Sequence, residues 1–358
     1  MSEVRPVHVV LKALVLFAMA NLAFAYFNPA IGRLSIFNHL VNGRLRFPVS
    51  TQNMDAMFAS HVISAGPKPA NEYRVILLGD SSVWGFTLLA PDILSEQINR
   101  MDLVTCAGKT VKAYDLAYPL PSFMRDLLIL DKARQYHPDL IVWSTTMEMF
   151  LPDNSEMEFL VYQPDRVMQL VKNYDLKVPD ASNLKISSFW EKTILGQRAR
   201  IKVAFTDQLD GLHWAATGVD VTIMPAIPLA DKVSASSTYH GFAPADLNSL
   251  VATFQFSAFD AGRKLAGDVP IYYFNEPMFI TSGKNSSIRY NSGYPRWAYD
   301  AYRTRIGQWM KEQNLSYDDF WNIIPPSEFT DSPLHLTPEG ERQLAARLAP
   351  AILNLACK

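Results

Sequence analysis

Apolar positions along this chain follow two patterns. Residues 7 to 27 (VHVVLKALVLFAMANLAFAYF) are apolar on every side, interrupted by Lys12 and Asn21. A run of roughly 20 such residues crosses the hydrocarbon core of a bilayer, and Lys12 is near enough to one end to snorkel toward the headgroups. A membrane anchor is expected, with a buried core helix as the alternative. Ala23-Phe24-Ala25 resembles a signal-peptidase site, so a cleaved signal peptide competes with the anchor. Arg5, His8 and Lys12 lie at the start of the run and Arg33, Arg44 and Arg46 follow it, so flanking charge does not fix an orientation.

Beyond residue 70 the pattern changes to short apolar runs alternating with helical periodicity. Tyr73 to Leu78 (YRVILL), Val111 to Leu116, Asp139 to Trp143 and Val269 to Phe274 read as strands. Ala90 to Met101, Ser122 to Tyr136, Trp297 to Gln313 and Pro338 to Leu355 read as helices, the last opened by Thr337 as N-cap. Strands alternating with helices predict a mostly parallel sheet in one doubly wound α/β domain of five βα units. Between Phe150 and Gly267 the alternation lapses into helical pieces (Asp165 to Tyr174, Ser188 to Gln208, Pro244 to Leu265). The expected organisation is an anchor over 1–27, a Pro- and Gly-punctuated collar over 28–70, and a domain over 71–358 carrying a helical cap at 151–267.

Composition adds little that is specific. At 358 residues, 49% hydrophobic and 19% charged, the chain can bury a large core, and a net charge of −2 gives no reason to expect nucleic acid as a partner. Cys106 and Cys357 lack CxxC spacing; they either pair in an oxidising compartment or remain two reduced buried thiols.

The chemistry lies at two places far apart in sequence. Gly79-Asp80-Ser81-Ser82 follows the first strand, which would hold the Ser81 hydroxyl at a strand-to-helix turn beside backbone N–H groups. Asp331-Ser332-Pro333-Leu334-His335-Leu336-Thr337 precedes the last helix. A serine hydroxyl needs a base at neutral pH, and that base needs a group to hold its ring; His335 and Asp331 can fill those roles. Ala107-Gly108-Lys109-Thr110 is not a phosphate-binding loop, since Leu103 replaces the first Gly and a strand follows. Val83 replaces the second Gly of a G-x-S-x-G elbow, and no HExxH or clustered Cys/His set suggests a metal.

The two motifs together resemble the first and last blocks of the SGNH (GDSL-like) hydrolase superfamily, over roughly residues 70 to 358 without the cap. The resemblance implies a three-layer α/β/α fold, acyl hydrolysis or transfer through an acyl-serine at Ser81 with His335 and Asp331, and no metal or organic cofactor. The sequence departs from the family in three places. The usual Asp lies three residues before the His, where Ser332 stands here. The Gly that lends a backbone N–H to the oxyanion is missing, leaving Leu120 as the candidate in the loop after the Val111 strand. The oxyanion Asn is also missing, leaving Thr145 or Thr146 as the hydroxyl donor; Asn275 and Glu276, just after the Val269 strand, are binding candidates that either point into the crevice or form an ordinary turn. Arg289, Arg296 and Tyr290, Tyr294, Tyr299 and Tyr302 suit either gripping a sugar or anionic polymer or an ordinary solvated surface.

The expected protein is a membrane-anchored serine esterase or O-acyltransferase. Its catalytic body faces the extracytoplasmic side and acts on acyl groups of an envelope glycan or lipid, in the manner of SGNH proteins that partner integral membrane acyltransferases. The alternatives are an SGNH-fold assembly or binding subunit without activity, which the missing Gly and Asn would permit, and a secreted lipase released by signal cleavage.

Overall fold

Five parallel strands form the centre of the computed structural model, which describes residues 6–27, 43–48, 54–150, 163–176, 188–217, 229 and 233–358. They are β1 (Glu72–Leu78), β2 (Thr110–Asp115), β3 (Leu140–Thr145), β4 (Ile271–Asn275) and β5 (Ser316–Asp319), in the order β2-β1-β3-β4-β5. Every pairing is parallel, with Val75 opposite Ala113 on one side and Leu140 on the other. β1 and β3 are buried along their whole length, which explains their unbroken apolar runs.

Because successive strand residues point to opposite faces, the sheet supports two cores. Val75, Leu77, Val111, Ala113, Val142, Tyr272 and Phe274 pack with Leu94 and Ile98 of α4 (Leu94–Asn99) and with Leu344, Leu348 and Ile352 of α11 (Pro338–Ala356). Trp143 and Tyr273 face the other way. They meet Phe123 of α5 (Phe123–Ala133) and Phe259 of α9 (Ser257–Ala266), and Phe259 in turn meets Trp309 of α10 (Arg296–Glu312). The result is the three-layer α/β/α fold that the resemblance implied. α3 (Ser81–Trp84) is a single turn directly after β1. The chain runs from β1 out to edge strand β2 and then crosses back to β3, so the connections reverse direction at β1, and open α/β sheets bind ligands at the carboxyl ends of strands at such a point.

Several sequence expectations shift. β5 reads Ser-Tyr-Asp-Asp, too short and polar to register as a strand, and it forms by pairing with β4 at the sheet edge. The helix expected over Ser188 to Gln208 begins only at Arg198 and runs to Thr217, as α7 (Arg198–Thr217); residues 189–197 form turns. The Pro244 to Leu265 helix breaks at Phe254 to Phe256, giving α8 (Leu247–Thr253) ahead of α9.

The chain divides into two units. One comprises Met1–Asn42, Ser50–Ser60 and Glu158–Asp220, and the other Gly43–Val49, His61–Met157 and Val221–Lys358. The first contains α1 (Pro6–Phe27), α2 (Met54–Ser60), α6 (Pro164–Tyr174) and α7; the second contains the sheet. α1 is long and apolar enough to cross a membrane and is exposed except at Asn21 and Ala25, with Phe24 half-buried. Parts of the expected collar (28–42, 49–53) and cap (151–162, 177–187, 218–228, 230–232) lie outside the described residues. Cys106 and Cys357 form a disulfide, which joins the turn before β2 to the end of α11.

Candidate active site

The turn after β1 has no room for side chains other than those it carries. Gly79 has φ 158°, and a Cβ there would sit 2.8 Å from Val83 Cγ2 and 3.0 Å from Ser144 Cβ. Asp80 caps the turn, its Oδ1 accepting from Ser82 N at 2.9 Å. Gly85 ends it in the left-handed region at φ 72°. Arg46 secures the far end: its guanidinium donates to the carbonyls of Trp84 (3.2 Å), Gly85 (2.6 Å) and Leu88 (3.0 Å) and lies 4.0 Å over the Trp84 ring. One cation thus satisfies carbonyls that a turn end would leave orphaned. In the sequence, Arg46 was only a flanking charge.

The loop between β5 and α11 brings the second motif to this turn. Phe329 and Leu336 pair across its neck, and Thr330 N and Thr337 N donate to His335 O and Glu328 O, both at 2.9 Å. His335 Nε2 lies 2.9 Å from Ser81 Oγ, and His335 Nδ1 lies 2.9 Å from Asp331 Oδ1. Phe86 stacks on the imidazole with centroids 5.2 Å apart and planes 25° from parallel, limiting ring rotation. With Nδ1–H donating to Asp331, Nε2 is free to accept the Ser81 proton. Ser332, at the family's usual Asp position, has its Oγ accepting from Leu334 N at 3.3 Å, while Asp331 reaches the ring from one residue further back.

Leu120 holds φ 76°, the left-handed backbone that favours glycine. Its loop runs beside the Ser81 turn, since Tyr118 N donates to Gly79 O at 3.1 Å. Neither Ser81 N–H nor Leu120 N–H is used by a backbone carbonyl among the described residues.

The three remaining candidates are committed elsewhere. Thr145 Oγ1 donates to Phe274 O at 3.0 Å, and Thr146 Oγ1 pairs with Tyr294 OH at 2.9 Å. Asn275 Nδ2 donates to Tyr299 OH (3.1 Å) and Asp319 Oδ1 (2.8 Å), while its Oδ1 accepts from Tyr302 OH at 3.3 Å. All three are buried in a polar web at the ends of β3 and β4. The Arg289 and tyrosine cluster belongs to the interior too. Arg289 spends its guanidinium on the carbonyls of Asn291, Ser236, Thr238, Ser292 and Gly293. Tyr290, Tyr294, Tyr299 and Tyr302 are buried, so neither a polymer-gripping groove nor a solvated surface describes them.

Glu276 borders the Ser81 turn. It is 2% exposed, and its Oε2 accepts from Ser82 Oγ at 2.6 Å. Burial pushes its pKa well above the usual carboxylate range, with Asp80 adding to the rise and the Ser82 and Thr146 hydrogen bonds opposing it. The sequence pointed to it, beside Asn275, through its place at the end of a strand.

No family model matches the chain, and no curated protein does. Among solved structures, it is similar to a carbohydrate acetylesterase family member from Sinorhizobium meliloti at 12% identity and TM-score 0.34, over 79% of this chain and 98% of that one. It is also similar to the inhibitor-bound aryl esterase of M. smegmatis at 12% identity and TM-score 0.33, over 79% and 99%. Neither likeness is close enough to bear on chemistry; the parallel sheet and the Ser81–His335–Asp331 alignment stand on their own topology and distances.

Proposed function

We propose that this chain is an SGNH-type serine ester hydrolase, and the observation that carries the reading is the 2.9 Å relay from Ser81 Oγ through His335 to Asp331. Ser81 Oγ attacks an ester carbonyl as its proton passes to His335 Nε2, and Asp331 stabilises the imidazolium. The N–H groups of Ser81 and Leu120 hold the oxyanion. Imidazolium then protonates the leaving alkoxide, leaving an acyl-serine. Water, or an acceptor hydroxyl in the case of transfer, then attacks the acyl carbon as its proton passes to His335; the carbon–Ser81 bond breaks, His335 returns the proton to Ser81 Oγ, and the acid or the new ester leaves.

Within this reading the chain is anchored by α1, works outside the cytoplasm on acyl esters of a glycan or lipid, and cooperates with an integral membrane acyltransferase. The Cys106–Cys357 disulfide supports an oxidising compartment. The test is labelling with a fluorophosphonate serine probe, comparing wild type with Ser81→Ala and His335→Ala, each checked for folding by thermal melting. Labelling lost in both variants supports the hydrolase. A folded wild type that never labels would move the chain to the other class, an assembly or binding subunit. The side-chain commitments of Thr145, Thr146 and Asn275 would then explain the missing activity.

A further inference from the structure

α1 is not isolated within its unit. Asn21, the polar interruption in its apolar run, accepts from Leu195 N through Oδ1 at 3.1 Å while its Nδ2 donates to Phe17 O at 2.9 Å. Asn21 lies six residues before Phe27, the last residue of the helix, or about 9 Å along its axis at 1.5 Å per residue. If α1 crosses a bilayer with Phe27 at one boundary, the segment bonded to Asn21 is held about 9 Å inside that boundary, within the roughly 5–10 Å to which interfacial segments bury their apolar side.

That segment has the surface such a depth requires. Phe189, Trp190 and Leu195 are exposed, Trp190 to 72% of its surface, and Phe205 on the following helix to 69%. Tryptophan favours this boundary because one end of its ring is apolar and the other can meet water. Several of the turn's N–H groups are bonded within it. Lys192 N donates to Ser188 O, Thr193 N to Trp190 O, Gly196 N to Thr193 Oγ1 and Gln197 N to Thr193 O, as backbone entering a water-poor layer must. Lys192, Arg198, Arg200 and Lys202 stand against Glu191 alone over residues 188–206, in a chain whose net charge is −2.

We propose that residues 188–206 form an interfacial foot lying in the headgroup layer of the bilayer that α1 crosses. Phe189, Trp190 and Leu195 enter the acyl boundary, and Lys192 and Lys202 face anionic headgroups. This rests on the anchor reading of α1. The interaction joins two favourable contributions, apolar burial and attraction to anionic lipid, as in helices that lie on membranes.

The native cysteines are paired, so one introduced cysteine is the single free thiol. Full-length Ala18→Cys, Trp190→Cys and Lys311→Cys variants are labelled with an environment-sensitive fluorophore. They are reconstituted in phosphatidylcholine–phosphatidylglycerol vesicles whose acyl chains carry a quencher near the headgroup. Position 18 lies on the exposed surface of α1, and position 311 is exposed on α10. The expected result is loss of fluorescence and a blue shift at both 18 and 190, with no loss at 311. Phe189→Cys repeats the measurement should Trp190→Cys fail to fold. Quenching at 18 without quenching at 190 or 189 overturns the foot, keeps the anchor and leaves the aromatic surface to a protein partner. No quenching at 18 overturns the anchor and the foot with it.

Discussion

Asp331→Ala isolates the contribution of the carboxylate that reaches His335 from an unusual register. In the resting site, His335 Nδ1 and Asp331 Oδ1 are 2.9 Å apart, with side chains 11% and 24% exposed. The imidazole becomes charged only as it takes the Ser81 proton, so the Coulomb term acts on the transition state and not on substrate binding. At that separation a pair of unit charges is worth about 1.4 kcal/mol in water and about 6 kcal/mol at an effective dielectric of about 20. Their partial burial places the site between those limits, near about 3 to 4 kcal/mol, which is roughly 10²- to 10³-fold in rate. The assay is the second-order rate of fluorophosphonate labelling together with kcat and KM on p-nitrophenyl acetate. The loss should fall in kcat with KM nearly unchanged. Adding Ser332→Asp to Asp331→Ala moves the carboxylate to the family's usual position. Because the side chain at 332 is turned toward Leu334 N, little activity should return. Wild-type rates in Asp331→Ala would refute the relay, and full recovery in the double variant would refute the assigned register.

Leu120→Gly should preserve or raise labelling and gain up to about 1 kcal/mol in stability from relief of the left-handed backbone, less the entropy of glycine. Leu120→Val, β-branched at φ 76°, should lower both, as melting and labelling rates would show. Asp126, which accepts from Trp143 Nε1 at 2.9 Å, has its pKa pushed up to about 7, chiefly by burial. An unfolded carboxyl titrates near about 4, so the stability tied to its neutral form is complete below that value and is lost as pH rises through about 7. In Asp126→Asn the melting temperature should fall less over this window; an unchanged slope would count against the assignment. Cys357→Ser opens a closure spanning 251 residues, worth up to about 5 kcal/mol by chain entropy. Reductant should lower the melting temperature of wild type but not of the variant.

Strands with β-branched apolar runs were legible because burial on both faces leaves a continuous signal, as in Ile76 to Leu78 and Leu140 to Trp143. β5 was not, because Asp318 and Asp319 take their strand conformation from pairing with β4 rather than from their own preference. Ser81, His335 and Asp331 could be picked out because each stands beside a strand end or a helix start. Their mutual distance could not, since the loop's reach depends on the Phe329–Leu336 neck and on Pro333 O accepting from Phe279 N at 2.7 Å. Thr145, Thr146 and Asn275 had the right chemistry at strand ends. What sequence cannot reveal is that Tyr294, Tyr299 and Tyr302, distant along the chain, occupy their hydrogen-bonding groups.

Ser81 and His335 are 254 residues apart, and Cys106 and Cys357 are 251 apart. The relay and the covalent closure therefore depend on the same late event, the docking of α11 against a sheet whose first strands were synthesised long before. Loop closure of that length is slow relative to local folding, so a nascent or truncated chain carries Ser81 without His335 beside it. Reactivity toward esters would begin only when the last helix arrives, and the disulfide then ties the end of that helix to the turn before β2.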